Sequence, residues 1–295
     1  MNKHILGSAQ SPIAAKLGVS HHSMEDDPLF QFFEGRAIYG DDFRQDEIDA
    51  WFHDEAEGYA NLGAKNSETY KYQYHAMNRI HGFDLLPPSR QFGHALGFGS
   101  AYGDELLPVI DRISQVTIVD PSRAFVRSEV GGKPATWVAP DPSGTLPFAN
   151  GSFDLITCFG VLHHIPNVSH VLKEFERVLA PGGFLLVREP IVSMGDWRKP
   201  RGGLTKRERG LPLLPLRESI KAAGLRTTSM RLIGFAPMLN LLRRVGRNPY
   251  NSGPLTIVDR VFAQLTAWNY RYHARGRSIT SLTRPTAIFA VLSKK

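Results

Sequence analysis

Cysteine is almost absent from this 295-residue chain: Cys158 stands alone. An intrachain disulfide is therefore excluded, which agrees with a reducing compartment, and a cytoplasmic location is expected. Cys158 lies within an apolar run and reads as a small core residue. Long apolar runs are missing as well. No stretch reaches the roughly eighteen residues that a membrane span requires. Lys3 and His4 near the start are not followed by an apolar core, so no secretion signal is expected. The chain has no internal repeat and no low-complexity segment. No group of His, Asp or Glu has the spacing of metal ligands, and His21-His22 reads as a surface pair, so no metal is expected.

What remains is the composition of a globular protein, 42% hydrophobic and 10% aromatic. The length suits one large α/β domain with an appendage. Leu146 to Pro190 is the most informative stretch. Phe153 to Phe159 is short and apolar, as in a strand buried on both faces. Val168 to Leu179 changes to helical spacing, with Val171, Leu172, Phe175, Val178 and Leu179 apolar and Lys173, Glu174, Glu176 and Arg177 polar. Pro181, Gly182 and Gly183 stop that helix, and Phe184 to Val187 is a second buried strand. The stretch is a βαβ unit of a parallel sheet, and ligands bind at the carboxyl ends of such strands. Gly160 to His164 and Arg188 to Ile191 occupy those ends.

Upstream, Phe92 to Leu107 reads as strand, glycine turn and helix, followed by the strand Val116 to Val119 and then Asp120. Gly97 and Gly99 permit a tight turn and a close approach of backbone to ligand. The following helix offers open N–H groups. An acid about twenty positions on suits the hydroxyls of a ribose. A glycine turn alone is a weak sign of a nucleotide site; the turn, the acid and the later βαβ unit together are a strong one.

At this point the chain resembles the class I S-adenosylmethionine-dependent methyltransferases, in the small-molecule branch related to the quinone-biosynthesis methyltransferases. The resemblance covers roughly Phe92 to Leu232 and the final strand Thr286 to Leu292. It is carried by Gly97 and Gly99, Asp120, Leu146-Pro147-Phe148, Gly151-Ser152-Phe153-Asp154, Leu162-His163-His164-Ile165 and Glu176 through Gly183. The resemblance implies an α/β fold with a Rossmann-like, seven-stranded, mostly parallel sheet, helices on both faces and an antiparallel last strand. It implies S-adenosyl-L-methionine as cofactor. Asp120 is then expected at the ribose, with Pro121 beside it, and Asp141 at the adenine amino group. Leu146 and Phe148 pack near the adenine. Gly97, Phe98, Gly99, Phe159 and Gly160 are expected on the methionine side. The family usually has an acid two residues before the first glycine; here it is Ala95, and the third glycine of the loop is Ala101.

Methyl transfer to a hydroxyl needs a base, and histidine is the natural one near neutral pH. Candidate catalytic residues are His164 and His163 after the fourth expected strand, His75 in an aromatic stripe, and Glu189 at the tip of the fifth. For the first pair the alternative is a structural role in the loop. His75 shares a helical face with Tyr72 and Arg79, and Tyr70, Tyr74 and Met77 share another; such stripes also serve packing. His273 has the same status.

Three parts are expected: an N-terminal helical appendage or lid over 1–90, the cofactor-binding domain over 91–232 and 285–295, and a helical insertion over 233–284. Helices are expected at Asp42 to Leu62, capped by Asp41 or Asp42, and at Ser67 to Phe83. Further helices are expected at Leu216 to Ala223, Met238 to Val245 and Leu255 to Tyr272. Ile257, Val258, Val261, Phe262, Leu265 and Trp268 share one face of the last, and that face is expected to pack on the sheet domain rather than on a membrane surface. The net charge of +7 is concentrated in part between Asp196 and Gly210, with Arg198, Lys199, Arg201, Lys206, Arg207 and Arg209. This cluster points to an anionic substrate or to a solvated basic loop. The expected reaction is methylation of a hydroxyl on a small molecule, such as a sugar or phosphate-linked saccharide. Alternatives are N-methylation of a small amine or amino sugar, and a binding module that has lost the cofactor. Nucleic acid is not an expected partner, because Gly160-Val161-Leu162-His163 stands where adenine-methylating relatives carry Asn/Asp-Pro-Pro-aromatic; a homodimer is compatible with the sequence.

Overall fold

The computed structural model describes residues 29–61, 71–197, 199–244, 246–274 and 278–295. Its centre is one sheet of strands β1 (Phe92–Phe98), β2 (Ile113–Val119), β3 (Glu129–Val130), β4 (Lys133–Val138), β5 (Phe153–Phe159), β6 (Leu179–Pro190), β7 (Arg226–Phe235) and β8 (Pro285–Ser293). The order across the sheet is β3-β4-β2-β1-β5-β6-β8-β7. β4, β2, β1, β5 and β6 run parallel, and β8 runs antiparallel between β6 and β7. Seven of these strands match the expected sheet. The eighth, β3, is a two-residue hairpin arm on β4 that pairs Glu129 with Pro134. Its length is too short to leave a periodic signal in sequence.

The chain leaves β1 towards one side of the sheet and returns to β5 on the other, so the order reverses beside β1. A crevice opens at such a reversal. Helices cover both faces. On one face, α4 (Val168–Val178) and α5 (Leu213–Ala222) bury Val171, Leu172, Phe175, Leu216 and Ile220 against β5 and β6. On the other, α3 (His75–His81) and a 3-10 helix over Asp104–Arg112 bury Met77, Leu106 and Val109. An α-helix is expected after the glycine turn, and Pro108 explains the 3-10 form: it has no N–H and disfavours α geometry in the residue before it.

Other expected helices also shift for identifiable reasons. α1 is the short helix Phe30–Phe33; α2 spans Gln45–Asn61, and its first turn is served by Glu47, whose carboxylate accepts the Arg44 N–H at 3.0 Å. Asp41 instead serves α4, accepting the Ser169 N–H at 2.7 Å and the Ser169 hydroxyl at 2.6 Å. The helix expected from Ser67 begins only at His75; Ser67 and Tyr70 lie outside the described residues, as do His21 and His22. Asn248 donates to the Gln73 carbonyl and Asn251 to the Tyr72 carbonyl, while Asn251 accepts the His75 N–H at 2.9 Å. Side-chain amides thus take the backbone groups that a longer helix would use.

Between β7 and β8 lie α6 (Ala236–Arg244), α7 (Gly253–Leu265) and α8 (Ile279–Thr283). α7 stops at Leu265, and a 3-10 turn over Ala267–Asn269 replaces the rest of the expected helix. Its orientation corrects the expectation. Thr256, Asp259 and Ala263 are the buried residues of α7, and Asp259 accepts the N–H groups of Gly234 and Phe235 at 2.8 and 2.7 Å. Two backbone donors at the end of β7 need acceptors, and one buried carboxylate supplies both. The apolar row Ile257, Val258, Val261, Phe262 and Leu265 consequently faces outward and is exposed.

Asp259→Ala is expected to lower stability by roughly 1–3 kcal/mol, because it leaves buried donors unsatisfied. Leu265→Ser is expected to change it by less than about 0.5 kcal/mol, as an exposed substitution does. Urea denaturation of the two variants checks this, and the opposite ranking would restore an inward apolar face.

Candidate functional site

The crevice beside β1 is a pocket whose floor comes from the ends of β1 and β2. Phe98, Gly99, Asp120, Pro121 and Asp141 line it. Gly99 has φ of +65°, and a Cβ there would lie 2.5 Å from the Val161 side chain. The residue is glycine because both the backbone and the neighbouring loop demand it. Asp120 is buried at the tip of β2. Its Oδ2 accepts the Ala101 N–H at 3.0 Å and its Oδ1 accepts the Ser122 N–H at 2.9 Å. Burial pushes its carboxyl upward, against the pull of those two donors. The carboxylate is thereby fixed in the pocket wall with lone pairs remaining, a setting that fits a diol. Asp141 is held differently: Oδ1 accepts the N–H and hydroxyl of Ser143, which lowers its carboxyl.

Four expected cofactor residues lie outside the lining. Gly97 sits in β1 under the turn, where a Cβ would strike Ser100 and Ile118. Leu146 is buried in the α4 face of the core, and its N–H is accepted by Glu174 at 2.8 Å. Phe159 is buried in the other face, beside Phe83 and Phe289. Gly160 donates to the Arg188 carbonyl at 2.7 Å with φ of +76°. Ala95 leaves β1 without an acid, yet a carboxylate does lie beneath the turn. Glu105 is buried and accepts the hydroxyls of Ser100 and Thr157, and burial raises its carboxyl.

The remaining wall is built from α2 and the loop after β5. Trp51, Phe52 and Glu55 of α2 line the pocket beside Val161 and His164. Glu55 Oε2 lies 2.8 Å from His164 Nδ1, and Trp51 Nε1 donates to the His164 carbonyl at 2.7 Å. Thr205 also donates to Glu55 Oε2, at 2.6 Å, and the Arg207 N–H donates to Oε1 at 2.7 Å. Burial and the neighbouring His163 lower the His164 imidazole, against the pull of Glu55 and Glu208. A lowered histidine whose Nδ1 side faces a carboxylate is neutral near pH 7 and oriented.

His163 lies behind His164, with ring centroids 4.0 Å apart. Its Nδ1 is 2.7 Å from Glu189 and its Nε2 is 3.6 Å from Glu208. Glu189 is turned inward: besides His163 Nδ1 it accepts the N–H groups of Val161 and Leu162, each at 2.9 Å, and of His163 at 3.3 Å. His75 is not in the lining; its ring lies 4.9 Å from that of Tyr72, and burial lowers it. The fold also assembles a trio that spacing does not show. One ligand atom from each of His163, His164 and Glu208 lies within 4.8 Å of the others, a set able to hold a metal ion.

The basic loop is engaged within the protein. Arg209 is fully buried and donates to the carbonyls of Tyr39, Leu162, His163, Ile165 and Pro166. Arg207 and Lys206 pair with Asp54 at 2.7 and 2.8 Å. Arg201 donates to the carbonyls of Met194, Thr205 and Lys206. Glu55, Trp51 and Glu208 escape a sequence reading. The one available signal is that Trp51 and Glu55 stand four apart on α2, and so share a face.

Residues 95–187 match the sequence family described as a methyltransferase domain. A sterol 4-C-methyltransferase of Caenorhabditis elegans is 29% identical over 113 residues, 36% of this chain and 33% of that protein. A ubiquinone/menaquinone biosynthesis C-methyltransferase of Paracoccus denitrificans is 33% identical over 115 residues, 36% of this chain and 45% of that one. The chain thus spans less than half the length of these curated relatives. The solved PH0226 protein of Pyrococcus horikoshii OT3 superposes with a TM-score of 0.50 at 14% identity, over 81% of this chain and 99% of that one, which shows the shared fold.

Burial alone would lower the His163 imidazole, but Glu189 and Glu208 outweigh it and push it up to about 9 from 6.5. For a raised base the stabilising share is complete below 6.5 and fades as pH climbs through about 9. Glu208 is drawn down to about 2 from 4.5 despite burial, so its share is complete above 4.5 and is lost as pH falls through about 2. Thermal stability is therefore expected to fall as pH rises from 6.5 through about 9, and Glu208→Gln to flatten that decline. An unchanged alkaline slope in the variant would count against the pair.

Proposed function

We propose that this chain, which carries a methyltransferase domain of the class I S-adenosylmethionine-dependent family, transfers a methyl group to a hydroxyl of a small molecule. The observation that carries this reading is that one pocket is lined by both Asp120, fixed at the tip of β2, and His164, oriented by Glu55. S-adenosylmethionine supplies the methyl group already activated on a sulfonium. Asp120 holds the ribose hydroxyls. Phe98, Pro121 and Phe125 supply apolar walls, and Trp51 and Phe52 cover the pocket and exclude water. His164 accepts the proton of the acceptor hydroxyl, and Glu55 is the positioning residue that keeps its Nδ1 side engaged.

The acceptor class follows from the lining. Trp51 and Phe52, which cover the pocket, favour an apolar or planar acceptor over an anionic one, and the basic-loop residues Lys206, Arg207 and Arg209 have partners inside the protein. A saccharide acceptor remains compatible with the hydroxyl chemistry but has no further support. C-methylation is a second reading, favoured by the sterol and quinone C-methyltransferases among the relatives. Proton removal by His164 would then act on the carbon that receives the methyl group, or on a hydroxyl conjugated to it.

Calorimetry with S-adenosylmethionine and with its demethylated product tests the cofactor. Binding of either is expected, and Asp120→Ala should weaken it about tenfold, the worth of ~1.4 kcal/mol. Absence of binding by the intact chain would overturn the reading.

Glu55→Gln is expected to lower kcat by roughly 10²-fold, the low end of what a general base contributes, with little change in cofactor affinity. In the intact chain kcat should fall with acid as His164 protonates and be level around neutral pH, because its pKa is lowered from 6.5. A flat profile down to the point of unfolding would remove His164 from the proton step.

A further inference from the structure

We propose that the outward face of the helices between β7 and β8 is a docking surface for an anionic lipid membrane, on which the protein rests without crossing it. Among the described residues, nine of the twelve large apolar side chains that are exposed belong to this one segment. They are not isolated. Trp268 is 78% exposed, Leu265 65% and Ile279 80%, and Leu241, Phe262 and Leu282 join them. Phe262 stacks on Phe235 at 5.1 Å, which holds it in place. Asn269 bonds the Thr280 carbonyl and the Thr283 hydroxyl, tying the 3-10 turn that bears Trp268 to α8, which bears Ile279 and Leu282. The patch is built from several elements packed on one another, and an exposed apolar patch of this kind marks an interaction site.

Charge selects the partner. From Arg231 to Arg284 the sequence has nine arginines, no lysine and one acid, Asp259. That surplus of eight positive charges exceeds the +7 of the whole chain. The single acid is buried and faces the backbone of β7, so it does not offset the surface. Arg244, Arg247 and Arg271, on the same segment, are exposed. A second copy of the chain would bring arginines against arginines across a two-fold axis, with no carboxylate of this segment to meet them. An anionic bilayer offers what the face lacks: negative headgroups for the arginines and an acyl boundary for the apolar side chains. An exposed tryptophan beside arginines is also the composition of a membrane–water boundary.

The placement is functional in geometry. β7 runs parallel to β6, so Phe235 leaves the sheet at the same carboxyl edge as the pocket. Four strand spacings, on the order of 20 Å, separate β7 from β1. The docking face and the pocket thus belong to one sheet, a few strands apart.

Co-sedimentation of the intact chain with vesicles tests the proposal, using phosphatidylcholine alone and phosphatidylcholine mixed with phosphatidylglycerol. Pelleting is expected with the mixed vesicles and not with the neutral ones, and raised salt should weaken it. Trp268→Ser combined with Leu265→Ser should lower the apparent affinity about tenfold or more. Arg244→Glu should lower it at least roughly fivefold, the effect expected of one surface cation near anionic lipid. These residues are exposed, so thermal unfolding should be unchanged and serves as the control for folding. The proposal is overturned by no pelleting with mixed vesicles, or by pelleting that ignores the Trp268/Leu265 change. It is equally overturned if sedimentation velocity shows a dimer that Trp268→Ser dissolves, since the face would then be an interface between copies.

Discussion

The loop from Val161 to Pro166 has no sheet or long helix to satisfy its backbone, and two buried side chains of opposite charge do so instead. Glu189 takes the N–H groups of Val161, Leu162 and His163 from below. Arg209 takes the carbonyls of Leu162, His163, Ile165 and Pro166 from the other side. Trp51 takes the carbonyl left between them, that of His164. Each holding group comes from a different part of the chain, and burial makes each bond costly to lose. The pocket wall, the pairing of His163 with its carboxylates and the orientation of His164 all rest on this arrangement.

It also explains why the basic loop does not behave as a solvated one. A run of arginines reads from composition as a charged surface. Here Arg209 is an internal fastener, Arg207 and Lys206 bind α2 through Asp54, and Arg201 closes its own loop on three carbonyls. The N-terminal segment is drawn over the sheet by the same residues, since Arg209 also donates to Tyr39 and stacks its guanidinium over Trp51 at 4.9 Å. Asp41 adds a fastening at the start of α4. The appendage is thereby part of the pocket.

Much of the sheet was legible because buried strands and α4 carry their pattern locally. Val171, Leu172, Phe175 and Val178 repeat at helical spacing, and Phe153 to Phe159 is apolar without interruption. Gly99 and Asp120 were legible because a turn and a strand tip each need a particular residue type. Glu55, Glu208 and Arg209 were not, because their meaning arises only when residues more than a hundred positions apart, or on different elements, are brought together. α7 was misread for a different reason. Periodicity reveals that a helix has an apolar face but not which way it turns, and the demand of Gly234 and Phe235 for an acceptor decided in favour of Asp259. The exposed row of Ile257, Val261 and Leu265 is the result of that local hydrogen-bond requirement.

α2 covers the pocket with Trp51 and Phe52 and aligns His164 with Glu55, and it does both with one rigid helical turn. Any passage of a ligand that displaces this turn therefore removes Glu55 from His164 at the same moment. For the proton step proposed at His164, the helix that covers the pocket is thus also the one that orients the imidazole.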